Sequence, residues 1–150
     1  MKKILILLSI ISLAFSAASC EKEETNPQPQ QLEVNAHNIS GQWKLVEWNG
    51  ENLEAGTYVY LDIVRNDKTY TMYQNMDSFT NVSHIITGSY HLSTDVALGA
   101  IIRGSYDHDC GEWSHRYIIK SLTANEMIWV ATDDASFSQT FHRVDNIPVK

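Results

Sequence analysis

From Ile39 onward, apolar and polar residues alternate with a period of two, the spacing of a strand that buries one face. In Tyr58–Arg65, Val59, Leu61 and Ile63 alternate with Tyr60, Asp62 and Val64; in Trp113–Leu122, Tyr117 and Ile119 alternate with Arg116, Ile118 and Lys120. Eight runs rich in Tyr, Trp, Ile, Val and Thr stand out: Gln42–Trp48, Tyr58–Arg65, Thr69–Met76, His84–Leu92, Leu98–Tyr106, Trp113–Leu122, Met127–Ala131 and Gln139–Val144. Turn formers separate them, among them Asn49-Gly50, Asn66-Asp67, Ala124-Asn125 and Asp133-Asp134. The only helical expectation is a single turn near Asn35–Ser40. Short connections make consecutive strands pair antiparallel, as a meander. Eight strands with one apolar face hide it best by curling into a closed barrel, which also removes both free edges. A two-sheet sandwich usually needs a longer crossover than any seen here. The expected fold is therefore all-β: an eight-stranded antiparallel up-and-down barrel over residues 38–150, with no C-terminal helix after Asp145. An echo supports consecutive strands bending at similar heights: Gly88-Ser89-Tyr90-His91 returns sixteen residues later as Gly104-Ser105-Tyr106-Asp107.

The first residues follow a different pattern. Met1-Lys2-Lys3 precedes an unbroken apolar run from Ile4 to Phe15, then small residues, then Cys20. Twelve helical residues span roughly 18 Å, short of the ~30 Å hydrocarbon core. The run fits a signal segment over residues 1–19 rather than a membrane span. The order resembles a bacterial lipoprotein signal, although Ala17 stands where Leu is usual. That resemblance implies acylation of Cys20 by palmitate-type chains and a membrane anchor there; an ordinary secretory signal is the competing reading. Cys20-Glu21-Lys22-Glu23-Glu24 further resembles an export signal that sends lipoproteins to the cell exterior, implying an outer-membrane, surface-exposed protein, with the periplasmic leaflet as the alternative. Residues 20–37, with Pro27, Pro29 and several Gln, read as a flexible tether that buries too little apolar surface to fold alone.

Charge and composition narrow the functional classes. The formal charge is −7, and losing Lys2 and Lys3 with the leader makes it −9. Nucleic acid, whose phosphates are bound by Lys and Arg, is not an expected partner. With Cys20 acylated, Cys110 is left without an internal disulfide partner, so the fold rests on hydrophobic burial. Asp107, His108, Cys110 and His115 together suggest zinc, but their spacing matches no strong ligand pattern, and neither metal nor cofactor is expected. There is no Gly-x-Ser-x-Gly elbow, phosphate loop or His-Glu-x-x-His, and Glu47 and Asp62 cannot be paired from sequence, so no enzyme activity is expected.

Gly41-Gln42-Trp43 opens the first strand and Arg143 lies in the last. A Gly-x-Trp at the start and an Arg at the end resemble the two ends of the lipocalin, or calycin, signature. The whole stretch from Ile39 to Val144 is similar to the small lipocalin-like lipoprotein domains of Gram-negative bacteria. The resemblance implies that Gly41, Trp43 and Arg143 close one end of the barrel, with the Arg across the Trp ring. If alternate residues point inward, Tyr70, Met72, Tyr90, Tyr106, Tyr117 and Trp129 line the interior. Two readings follow: a pocket for a small hydrophobic or glycan-like ligand, or a filled barrel that serves as an interaction module for an envelope protein partner. Trp48 and Trp113, near strand ends, either stack on a ligand or partner at the rim or shield the mouth.

Overall fold

A computed structural model describes residues 27–76, 82–108 and 111–149. Among the described residues the chain forms one short helix, α1 (Ala36–Ile39), and nine strands: β1 (Gly41–Trp48), β2 (Glu51–Asn52), β3 (Val59–Val64), β4 (Thr69–Gln74), β5 (His84–Asp95), β6 (Gly99–Tyr106), β7 (Tyr117–Leu122), β8 (Glu126–Ala131) and β9 (Ser138–Arg143). Strand β2 is a two-residue arm folded back on the end of β1 through Asn49-Gly50, where both residues have positive φ, as a tight hairpin requires. The other eight pair in chain order, all antiparallel, and β9 returns to β1 to close an eight-stranded barrel. The all-β, up-and-down barrel expected from the alternation is the architecture found.

Closing so small a barrel requires strong twist, and two register shifts supply it. One lies in β1 between Leu45 and Glu47 against β9, the other in β7 between Ile119 and Ser121 against β8. The Gly-Ser-Tyr echo takes on a structural meaning: the two copies pair with each other. Gly88 lies opposite Tyr106 and Tyr90 opposite Gly104, and the hydroxyls of Ser89 and Ser105 hydrogen-bond at 2.9 Å.

The folded unit begins earlier than residue 38. The Gln31 side chain reaches Ser121 and the Leu122 amide, and the Leu32 amide donates to the Leu122 carbonyl at 2.7 Å. Leu32 and Val34 pack against the core. Two apolar side chains are enough to dock this stretch, because β7 offers a free carbonyl at its end. Residues 1–26, with Cys20 and the signal segment, and residue 110 lie outside the described residues.

The barrel has two unlike ends. At the base lie α1, the start of β1, the β7–β8 turn and the end of β9. Asn35 caps α1 by accepting from the Asn38 amide. The Ile39 carbonyl at the end of α1 accepts the indole N–H of Trp43 at 2.9 Å, and Trp43 is fully buried. Arg143, directly opposite Trp43 in register, lays its guanidinium 4.0 Å above the ring centroid. It donates to the carbonyls of Ala124 (2.7 Å), Ser40 (2.7 Å) and Asn38 (2.9 Å). The guanidinium thus ties helix, turn and last strand together over the indole, a cation–π contact of ~0.5–2 kcal/mol plus three charge-assisted hydrogen bonds. Gly41 has φ +117°, and a Cβ there would run into the Arg143 guanidinium, so the clasp requires glycine.

Candidate functional site

The opposite end contains a cavity of about 330 Å³. It lies between the end of β1 (Leu45, Trp48), the start of β3 (Val59, Leu61), the end of β4 (Met72, Gln74), the loop before β7 (Trp113 to His115), and the inner faces of β7 to β9 (Tyr117, Trp129, Gln139, Phe141). Met76, Ile86, Tyr106 and Phe137 complete the wall. The volume is at the low end of the ~300–1,000 Å³ typical of small-molecule sites, and such sites are mostly apolar with a few placed polar groups.

Of the six interior residues named from sequence, Met72, Tyr106, Tyr117 and Trp129 line this cavity, whereas Tyr70 and Tyr90 do not. Alternation sets which face a side chain takes, not its height along the barrel. Tyr70 and Tyr90 face inward below the cavity. The Tyr70 hydroxyl donates to the Ser105 carbonyl at 3.2 Å, and the Tyr90 hydroxyl donates to the Val64 carbonyl at the base end of β3, at 3.3 Å.

Between Tyr70 and the cavity lies Trp113. Expected at the start of a strand near the rim, it belongs instead to the loop ahead of β7, where its amide donates to the Gly104 carbonyl. Its ring folds into the barrel, is 7% exposed, and sits edge-on to Tyr70 with centroids 5.1 Å apart. The Trp113 indole N–H donates to the Tyr70 hydroxyl at 2.8 Å. Gly104 makes room for it: a Cβ there would fall onto the six-membered ring of Trp113. The sequence carries this signal only as an unexplained glycine in a strand, since the tryptophan it admits is nine residues further on.

An aromatic wall runs from this floor. Trp113 and Trp129 have centroids 5.6 Å apart, Trp129 and Tyr117 5.5 Å, and Trp129 and Phe141 4.8 Å. Towards the mouth, Trp48 meets Phe137 edge-on, and His115 lies against Phe137 at 4.7 Å. His115 Nδ1 is 2.9 Å from Asp133 Oδ1. Hydrogen bonding to His115 is the main cause that holds the Asp133 carboxyl below its ordinary pKa.

Burial pushes the Tyr117 hydroxyl up to about 12, opposed by its hydrogen bond with Gln139. Tyr70 is likewise pushed up to about 12 by burial, with Trp113 donation opposing. Both stay neutral at any physiological pH. The indole N–H of Trp129 is different: it is buried and has no hydrogen-bond partner among the described residues.

No group of three His, Cys, Asp or Glu among the described residues is arranged to hold a metal ion. The lining residues include no Asp, Glu, Lys or Arg. The arrangement is a pocket walled mainly by apolar and aromatic side chains, with the His115–Asp133 pair at its mouth.

A family model described as a lipocalin-like domain matches residues 39–129, from the end of α1 to the Trp129 wall of β8. No curated protein and no solved structure gives a significant match.

Proposed function

The chain belongs to the lipocalin-like domain family, and from that premise we propose that it is a non-catalytic binding protein whose open end takes a small hydrophobic molecule. The observation that carries this reading is the 330 Å³ cavity confined to one end of the barrel and walled by aromatic and aliphatic side chains. A filled barrel acting only as an interaction module would need a solid interior. A glycan fits less well, because a sugar needs many paired polar groups and the cavity wall is mainly hydrocarbon and ring.

We further propose that Cys20 is acylated and anchors the protein to the outer membrane, facing the exterior. Support comes from the signal-like order before Cys20 and the Lys-acidic-acidic sequence after it. The entry of the chain adds an orientation. Gln31 and Leu32 dock at the end of β7, on the base side, so a tether from Cys20 meets the barrel at its closed end. The cavity mouth then faces away from the anchoring membrane, towards molecules arriving from solution.

Native mass spectrometry of protein purified from its own host tests the binding reading: a retained small molecule is expected. Protein that arrives empty and takes up no apolar probe would overturn it. For the anchor, Cys20→Ala is expected to move the protein from the membrane to the soluble fraction, and unchanged membrane association would contradict anchoring there.

A further inference from the structure

The two ends of the barrel differ on the outside as well. Three large apolar side chains stand exposed at the base. Val96 and Leu98 lie in the turn between β5 and β6, and Val64 ends β3. Val96 is wholly exposed, and Leu98 and Val64 are each 41% exposed. Strand direction puts both turns at the base, because β3 and β5 run down from the open end as β7 does.

The β5–β6 turn also projects. The Tyr90 amide meets the β3–β4 turn, donating to the Lys68 carbonyl at 2.8 Å. β5 then continues to Asp95 with β6 as its only partner strand, which adds roughly 17 Å of two-stranded arm. The tip is closed on itself. The Asp95 carboxylate accepts from the amides of Ala97 (2.8 Å) and Leu98 (2.9 Å), and Gly99 supplies a φ of +89°. The one charge of the turn is thus engaged with its own backbone, and Val96-Ala97-Leu98-Gly99 carries none. A single exposed valine is ordinary; a valine and a leucine held out on one closed turn, at the end of an arm, mark a surface meant for contact.

The chain enters the barrel beside this arm. β6 pairs with β7 only at Ile101 and Ile102, opposite Ile118 and Tyr117. Past Ile118, Gln31 and Leu32 dock on β7 at Ser121 and Leu122. A tether from Cys20 to Gln31 reaches at most ~40 Å when fully extended. An acylated Cys20 therefore keeps the arm close to lipid, at an effective concentration on the order of millimolar, where a contact too weak for a free protein is populated. The chain is acidic overall, and anionic headgroups repel it; the uncharged tip approaches them without that cost.

We propose that the β5–β6 turn is a membrane-contacting tip. Val96 and Leu98 enter the interfacial layer of the lipid surface that holds the Cys20 acyl chains, so the barrel stands on its closed end with the cavity mouth outward. This rests on the anchoring of Cys20 proposed above and adds a second point of contact to it.

The test uses the mature, ¹⁵N-labelled protein purified from its host's membranes and placed in nanodiscs of phosphatidylcholine and phosphatidylglycerol. Spectra are compared with and without a nitroxide on the lipid acyl chains. The amide signals of Val96, Ala97 and Leu98 are expected to weaken about fivefold with the nitroxide, and those of Ser114 and Gln139 at the mouth by less than about twofold. Val96→Glu changes an exposed side chain. It is expected to leave the fold and the nanodisc attachment intact, and to reduce the loss at the tip to that at the mouth. Tip signals as strong as those of the mouth in nanodisc-bound protein, or a loss undiminished by Val96→Glu, would overturn the inference while leaving the anchor standing. Tip signals that shift with protein concentration in detergent would assign the turn to a second copy of the chain, and would also overturn it. Protein that does not associate with the nanodiscs would overturn both.

Discussion

Each end of this barrel centres on a tryptophan, and the two rings are treated in opposite ways. At the base, Trp43 is saturated: its N–H is bonded to Ile39, its face is covered by Arg143, and the helix before β1 is clasped over it. At the open end, Trp129 has rings around it but no partner for its N–H, and it borders empty volume. The first arrangement uses an indole to maximise stability; the second withholds one interaction. One fold thus separates a clasped, filled end from an end that holds a cavity. An unpaired buried donor costs about 1–3 kcal/mol, which a small domain tolerates only where the rest of the core is well satisfied.

The largest expected contrast comes from truncating the base. Trp43→Ala is expected to destabilise the protein by ~3–5 kcal/mol in urea unfolding, because it empties a fully buried site and leaves Arg143 without its ring. A melting temperature unchanged by this substitution would remove the base from its stabilising role.

A smaller effect is expected at the floor of the cavity. Gly104→Ala places a methyl group where Trp113 packs, and overpacking of this kind costs ~1–3 kcal/mol. It should also displace the Trp113 ring and lower probe affinity, while the Trp43–Arg143 contact persists. Loss of stability without loss of binding would show that the floor does not shape the cavity.

Tyrosines buried in both halves of the barrel add a smaller, alkaline effect. Unfolded tyrosines ionise near 10, whereas Tyr70 and Tyr117 are held up to about 12 in the folded protein. Between those values the unfolded chain releases protons that the folded chain keeps, so stability falls as pH rises from about 10 to about 12. Unfolding midpoints across that range should decline, and Tyr117→Phe should flatten the decline. A slope identical in the variant would assign the effect to other groups.

The fold was legible because its signals are local. Alternation in β3 and turn residues such as Asn49-Gly50 set strand, face and connection within a few residues. The site was only partly legible because its geometry is not local. Tyr70, Tyr106 and Tyr117 carry the same inward signal, yet only height along the barrel decides that Tyr70 lies under the floor. Trp113 sits in a loop, where alternation says nothing, and its place depends on the missing side chain of Gly104 in another strand. Leu32 and Val34 look like part of a polar tether until the free carbonyl of Leu122 is placed beside them. Leu45, Leu61, Gln74 and Gln139 could have been found by extending the alternation of their strands to the open end.

The contrast between the two tryptophans can be measured directly. In ¹⁵N-labelled protein each of the four tryptophans contributes one indole N–H resonance, to be assigned by single Trp→Phe replacements. Titration with naphthalene as a small apolar probe is expected to shift the signals of Trp113 and Trp129, whose rings line the cavity, while the Trp43 signal stays fixed. Trp113 and Trp129 resonances both unmoved at saturating naphthalene, or a Trp43 resonance that shifts with them, would contradict a barrel sealed at one end and open to a guest at the other.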